Sequence, residues 1–118
     1  MAPECLFCRL VAEGPHVGAA RGFVAISDTA PKADVHLLVL PERHVDTFRD
    51  VAAFPPDEAK AMLDFVAETA AEAGLEDYRV LVNVGPGAGQ TVFHLHWHVL
   101  GGKIDPAALE LLAQEATR

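Results

Sequence analysis

Apolar residues fall along the chain in runs short enough to give elements one by one. Leu6, Phe7, Leu10 and Val11 recur at helical spacing, which predicts one or two turns over residues 5–13, ended by Gly14-Pro15. Residues 17–20 and 23–27 are apolar runs around Arg21-Gly22 and predict a hairpin. A polar loop with Pro31 fills 28–34, and a β-branched, leucine-rich strand over 35–40 stops at Pro41. Residues 45–54 suggest a short helical piece. Pro55-Pro56-Asp57-Glu58 then opens the main helix, with Met62, Phe65, Val66, Thr69, Ala70 and Ala73 as its apolar stripe and Gly74 as its stop. Two strands, 78–84 and 94–100, flank a glycine turn, and residues 104–117 read as a terminal helix with Asp105 as N-cap and Pro106 first. The sum is an α+β chain: an antiparallel sheet of about five strands, one main helix, a short N-terminal helix and a C-terminal helix.

With 118 residues and 12.6 kDa, one domain over 1–118 is expected, without repeats, low-complexity segments or a linker. The 51 % hydrophobic content predicts a folded chain. A net charge of −8 leaves no basic stripe for a nucleic-acid polymer, although local donors can still hold a small anion. Neither a signal-peptide pattern nor a run near the ~20 apolar residues of a membrane span is seen, so no membrane partner and a cytoplasmic location are expected.

The candidate chemistry lies in His94-Leu-His-Trp-His98. On a strand the three imidazoles would share one face, roughly 6.6–7 Å from neighbour to neighbour, with Leu95, Trp97 and Val99 on the other. Upstream, the turn Gly85–Thr91 can bring backbone N–H groups to an anion. Two active readings stand: a metal site, or a nucleophilic histidine flanked by histidines that position a phosphate. Cys5 and Cys8 could form a local disulfide, a redox pair or half of a zinc site, and the abundant histidines favour zinc.

The segment Gly89-Gln-Thr-Val-Phe-His-Leu-His-Trp-His-Val-Leu100 resembles the signature of the histidine triad family. The likeness runs from Cys5 to about Gly102. It includes Cys5-Leu-Phe-Cys8, Asp28-Thr-Ala-Pro-Lys-Ala, Val35-His-Leu-Leu-Val-Leu-Pro-Glu-Arg-His44 and Asn83-Val-Gly85. The resemblance implies that His96 is the nucleophile of a nucleotidyl-histidine intermediate, that His98 contacts the phosphate and helps to move protons, and that His36 supports them. Thr91 would touch the phosphate or the leaving group, with Gly89 and Gln90 offering backbone N–H groups. Asp28, with Thr29 beside it, would bind the ribose hydroxyls; Leu6, Phe7 and Leu10 would sandwich the purine, and Asn83 would lie near sugar and phosphate. Taken alone, Asp28 is equally a loop cap, His36 a buried strand histidine, and the three apolar residues plain core. Cys5, Cys8, His44 and His94 would hold a structural Zn2+.

Past Gly102 the likeness fades, which leaves the tail 103–118 without a family counterpart. Histidine at position 98 argues against the transferase branch, and Cys5, Cys8 and His44 lean to the Hint type, whose members pair as twofold dimers; the helix over 57–73 is compatible with such a face and equally with simple packing on the sheet. The resemblance thus implies a hydrolase of purine nucleoside phosphoramidates acting on AMP or GMP derivatives. The alternatives are a dinucleoside polyphosphate hydrolase, or a nucleotide-binding regulatory protein with incidental slow hydrolysis.

Overall fold

The computed structural model describes residues 5–104 together with Pro106, Ala107 and Glu110. Its elements are α1 (Leu6–Glu13), β1 (Gly18–Ala20), β2 (Phe23–Ser27), β3 (Ala33–Pro41), a 3-10 helix (Phe48–Ala53), α2 (Pro56–Glu72), β4 (Tyr78–Leu81), a 3-10 turn (Pro86–Ala88) and β5 (Trp97–Ile104). The strands form one antiparallel sheet in the order β1-β2-β3-β5-β4. The expected α+β architecture is therefore present.

The hairpin turns tightly because Arg21 and Gly22 both adopt positive φ, the pair of conformations a two-residue loop with the strands' own twist requires. One sheet face carries Phe23, Ala25, Leu37, Val39 and Val99, against which α2 buries Met62, Phe65, Val66 and Ala70. Each such side chain contributes about 1.5–3 kcal/mol of burial, so this face is the main anchor of the fold. On the opposite face Val24, Ile26, Leu38 and Leu40 pack under Phe7 of α1. Helix α1 has only eight residues, too few to persist alone, so its position depends on what ties it to the sheet.

The structure departs from the sequence reading at three places. Strand β4 ends at Leu81 and β5 begins at Trp97, so His94 and His96 precede the strand. The reason is a competing bond: the Leu95 N–H donates to Val45 O at 2.6 Å, which draws residues 94–96 toward the loop after β3. Ile104 ends β5 and does not open a helix, because the chain passes Gly102 at a φ of 71° and Lys103 N–H donates to Asp34 at 2.8 Å. Of the expected terminal helix, Pro106, Ala107 and Glu110 are helical; Asp105 and the remainder lie outside the described residues. Third, the piece expected over 45–54 is a 3-10 helix closed by a capping box between Thr47 and Asp50.

Candidate functional site

Register explains the central pair of histidines. His36 of β3 stands opposite Leu100 of β5, and His98 stands opposite Leu38. The two histidines are diagonal neighbours on the α1 face, close enough for their rings to meet. His36 Nε2 lies 2.9 Å from His98 Nδ1. Both side chains are buried.

The hydrogen bonds settle where the protons sit. Lys32 N–H donates to His36 Nδ1 at 3.0 Å, so the neutral His36 ring carries its proton on Nε2 and donates to His98 Nδ1. His98 must then carry its own proton on Nε2. That atom is buried, and with Trp97 Nε1 it is one of two buried side-chain nitrogens without a hydrogen-bond partner among the described residues. His96 has the opposite tautomer. Its Nδ1 donates to the carbonyl of His94 at 2.8 Å, which leaves the Nε2 lone pair bare. The rings of His96 and His98 are 5.1 Å apart, and Phe7 stands edge-on to His96 at 4.8 Å. Burial pushes His98 down to about 3, helped by His96, His36 and Lys32. It also lowers His96 and His36, against the opposing pull of the His94 carbonyl on the first and of Asp28 on the second. All three rings are neutral at pH 7, and His96 Nε2 is a free base beside a free donor.

Asp28 Oδ1 accepts from Ala30 N–H at 2.8 Å while Oδ2 lies 3.5 Å from His36 Nε2. Loop cap and site residue are thus both true of it. The ligand atoms of Asp28, His36 and His98 lie within 4.8 Å of one another, a spacing that could suit a metal. The tautomers argue otherwise: an imidazole bound through Nε2 carries its proton on Nδ1, where Lys32 N–H already points. The cluster is a hydrogen-bond chain.

His94 leaves its two triad neighbours. Its Nε2–H donates to Pro41 O at 2.8 Å, and its Nδ1 lies 3.5 Å from the sulfurs of both Cys5 and Cys8. His44 mirrors it, with Nε2–H on Asp46 at 2.6 Å and Nδ1 3.2 Å from Cys8 Sγ. Neither cysteine is in a disulfide. All four ligand atoms lie within 4.8 Å of one another. Two sulfurs and two imidazole lone pairs, each ring held from behind by an acceptor on its other nitrogen, are a donor set suited to tetrahedral zinc. The reading of a metal on all three triad histidines does not hold, because His94 faces the sulfurs and the other two do not.

Other expected residues scatter. Leu10 and Thr29 line a cavity of about 380 Å³ with Gly14, Pro15, His16, Val17, Ile26, Ser27 and Asp28. Phe7 is buried against the histidines, while Leu6 is 44 % exposed and lines a separate cleft with Cys5, His44, Asp46 and Thr91, so these three do not form one purine sandwich. The backbone N–H groups of Gly89 and Gln90 are spent inside the turn, on Pro86 O and Gly85 O. The buried Gln90 side chain is a brace: it accepts from Gly85 N–H and donates to Asp46 O and Val92 O. Asn83 is half-buried just past β4. Sequence reasoning missed Asp46, the Pro41 carbonyl, the Lys32 N–H and Ile26. Only Ile26 had a signal, since it shares the alternation of β2 with Val24.

Comparison with known proteins gives the family and the fold. The model of the HIT domain matches residues 10–105. A HIT-like protein of Chlamydia pneumoniae is 47 % identical over 85 residues, covering 69 % of this chain and 74 % of its own. A HIT family hydrolase from Clostridium thermocellum superposes with a TM-score of 0.79 at 31 % identity, over 87 % of this chain and 94 % of that one. A zinc-bound histidine triad family protein from Mycobacterium smegmatis superposes with a TM-score of 0.67 at 27 % identity, over 98 % and 94 %. Among the described residues no helix is long and apolar enough to cross a membrane.

Proposed function

Because the chain belongs to the histidine triad family, we propose that it is a nucleotide hydrolase that cleaves the P–N bond of purine nucleoside phosphoramidates. The observation that carries this reading is the pair of opposite tautomers. His96 Nε2 has a lone pair with no proton, and His98, whose ring stands 5.1 Å from that of His96, offers a buried N–H. His96 attacks phosphorus, the P–N bond breaks, and the amine leaves with a proton from solvent. His98 Nε2–H holds a phosphoryl oxygen as negative charge shifts onto it, an interaction strengthened by burial. Water then adds to phosphorus, releasing the nucleotide, restoring the His96 lone pair and returning one proton to solvent. Cys5, Cys8, His44 and His94 would hold a structural Zn2+ that ties α1 to the sheet and takes no part in the chemistry. The test is turnover of adenosine 5′-phosphoramidate measured beside diadenosine polyphosphates. Faster cleavage of the polyphosphates would replace this reading with the phosphoanhydride one, and absence of turnover on both would leave nucleotide binding alone.

On this reading the nucleoside occupies the cavity of about 380 Å³ that Asp28 lines, with its ribose on that carboxylate. A carboxylate has lone pairs to spare beyond the bond from Ala30, and two ribose hydroxyls can use them. AMP should bind more tightly than 2′-deoxy-AMP by roughly 1–3 kcal/mol, because the deoxy sugar leaves an acceptor short. Asp28→Ala should remove most of that difference. Calorimetric titration of both nucleotides decides it, and equal affinity in the wild type would leave Asp28 as a loop cap only.

A homodimer also follows from this reading. Strand β4 is one edge of the sheet, with Tyr78 and Val80 exposed, and Leu63 of α2 is 54 % exposed. Light scattering should give twice the chain mass, and Val80→Lys should shift it toward the single chain. A monomeric wild type at tens of micromolar would refute the pairing.

A further inference from the structure

The cavity beside Asp28 is mostly apolar, walled by Leu10, Pro15, Val17 and Ile26. One imidazole interrupts it. His16 Nε2 lies 3.2 Å from the carbonyl oxygen of Leu10, an atom that can only accept, so the proton is on Nε2. In the neutral ring the lone pair is then on Nδ1. The ring's orientation is fixed by a second observation. A Cβ built on Gly14 would stand 3.8 and 3.9 Å from His16 Cδ2 and Nε2, so the Cδ2–Nε2 edge lies against the end of α1. Nδ1 is the ring atom opposite that edge, and it turns away from the helix end. Beside the Asp28 carboxylate and the hydroxyls of Ser27 and Thr29, the cavity is therefore bordered by an imidazole acceptor whose ring is held by the backbone.

We infer that His16 is a specificity-determining residue: its Nδ1 accepts a hydrogen bond from an exocyclic amino group of the base, so the site prefers adenine to a purine without that group. The inference rests on the nucleoside reading above. The adenine amino group is a donor, and His16 offers it an acceptor at the exposed rim of a mostly apolar cavity. A purine lacking it keeps the same stacking area and ring shape but leaves Nδ1 without a donor. Ser27 and Thr29 also line the cavity, but their hydroxyls rotate between donor and acceptor and so discriminate less.

The experiment titrates the full chain at pH 8 with AMP and with purine riboside 5′-monophosphate, which differs from AMP only by the missing amino group. The wild type should bind AMP about fivefold or more tightly than the purine riboside nucleotide, the size expected for one hydrogen bond at a partly enclosed site. In His16→Leu, AMP should weaken to the level of purine riboside monophosphate, whose own affinity should change little. Because His16 is exposed, the variant is expected to fold, which a melting curve checks. Equal affinity of the two nucleotides for the wild type overturns the inference, as does a preference that survives in His16→Leu. Failure of both nucleotides to bind would overturn the nucleoside reading itself, an outcome distinct from binding without discrimination.

Discussion

His96→Gly should lower phosphoramidate turnover by about 10³-fold or more, as loss of a covalent nucleophile does elsewhere, while the fold and AMP binding persist. The expectation is specific to His96. Its Nδ1 is tied to the His94 carbonyl, so Nε2 is held as a lone pair, whereas the neighbouring His98 presents a proton. His98→Gln should do less harm, because an amide N–H can replace the donor. Single-turnover assays with mass detection add a second readout: the wild type should show a nucleotidyl adduct and His96→Gly should not. The ¹⁵N shifts of the imidazoles should report opposite tautomers for residues 96 and 98. Near-wild-type turnover in His96→Gly would sink the mechanism.

Removing the metal should have the largest effect on stability. Protein prepared without chelator should contain about one zinc per chain by elemental analysis. Chelation, Cys5→Ser or Cys8→Ser should lower the melting temperature by about 10 °C or more, which corresponds to roughly 2–3 kcal/mol in a domain of this size. The physical reason is the short helix. The sulfur of Cys5 caps α1 by accepting Cys8 N–H at 3.3 Å, and the two cysteines tie the start of α1 to His44 and His94. Without that tie an eight-residue helix is held by little more than Phe7 and its neighbours. Since Phe7 stands edge-on to His96, metal loss should also reduce activity after stability has fallen. Absence of metal in freshly prepared protein, with an unchanged melting curve in Cys8→Ser, would refute the zinc site.

The sequence by itself determined every element whose pattern is local. The stripe of α2, the hairpin around Arg21-Gly22 and the run of β3 follow from side-chain period and turn chemistry, which neighbours in sequence suffice to set. The spacing of His94, His96 and His98, with the segments that accompany it, likewise pointed to the family and to residues now found around the two clusters or the cavity, among them Cys5, Cys8, Phe7, Leu10, Asp28, Thr29, His36, His44, His94, His96 and His98. What alternation could not decide was which histidine does which task. Strict alternation puts all three on one face, but the Leu95 N–H finds Val45 O in place of a strand partner, and this bond between distant segments turns His94 to the sulfurs. The tautomers of His96 and His98 depend in turn on a carbonyl two residues away and on the Lys32 N–H reaching β3. Leu6, Phe7 and Leu10 share a helix, yet tertiary packing sends one to solvent, one to the histidines and one to the cavity. Sequence spacing sets which residues can meet; which lone pair faces which proton is decided by hydrogen bonds made only after the sheet has closed.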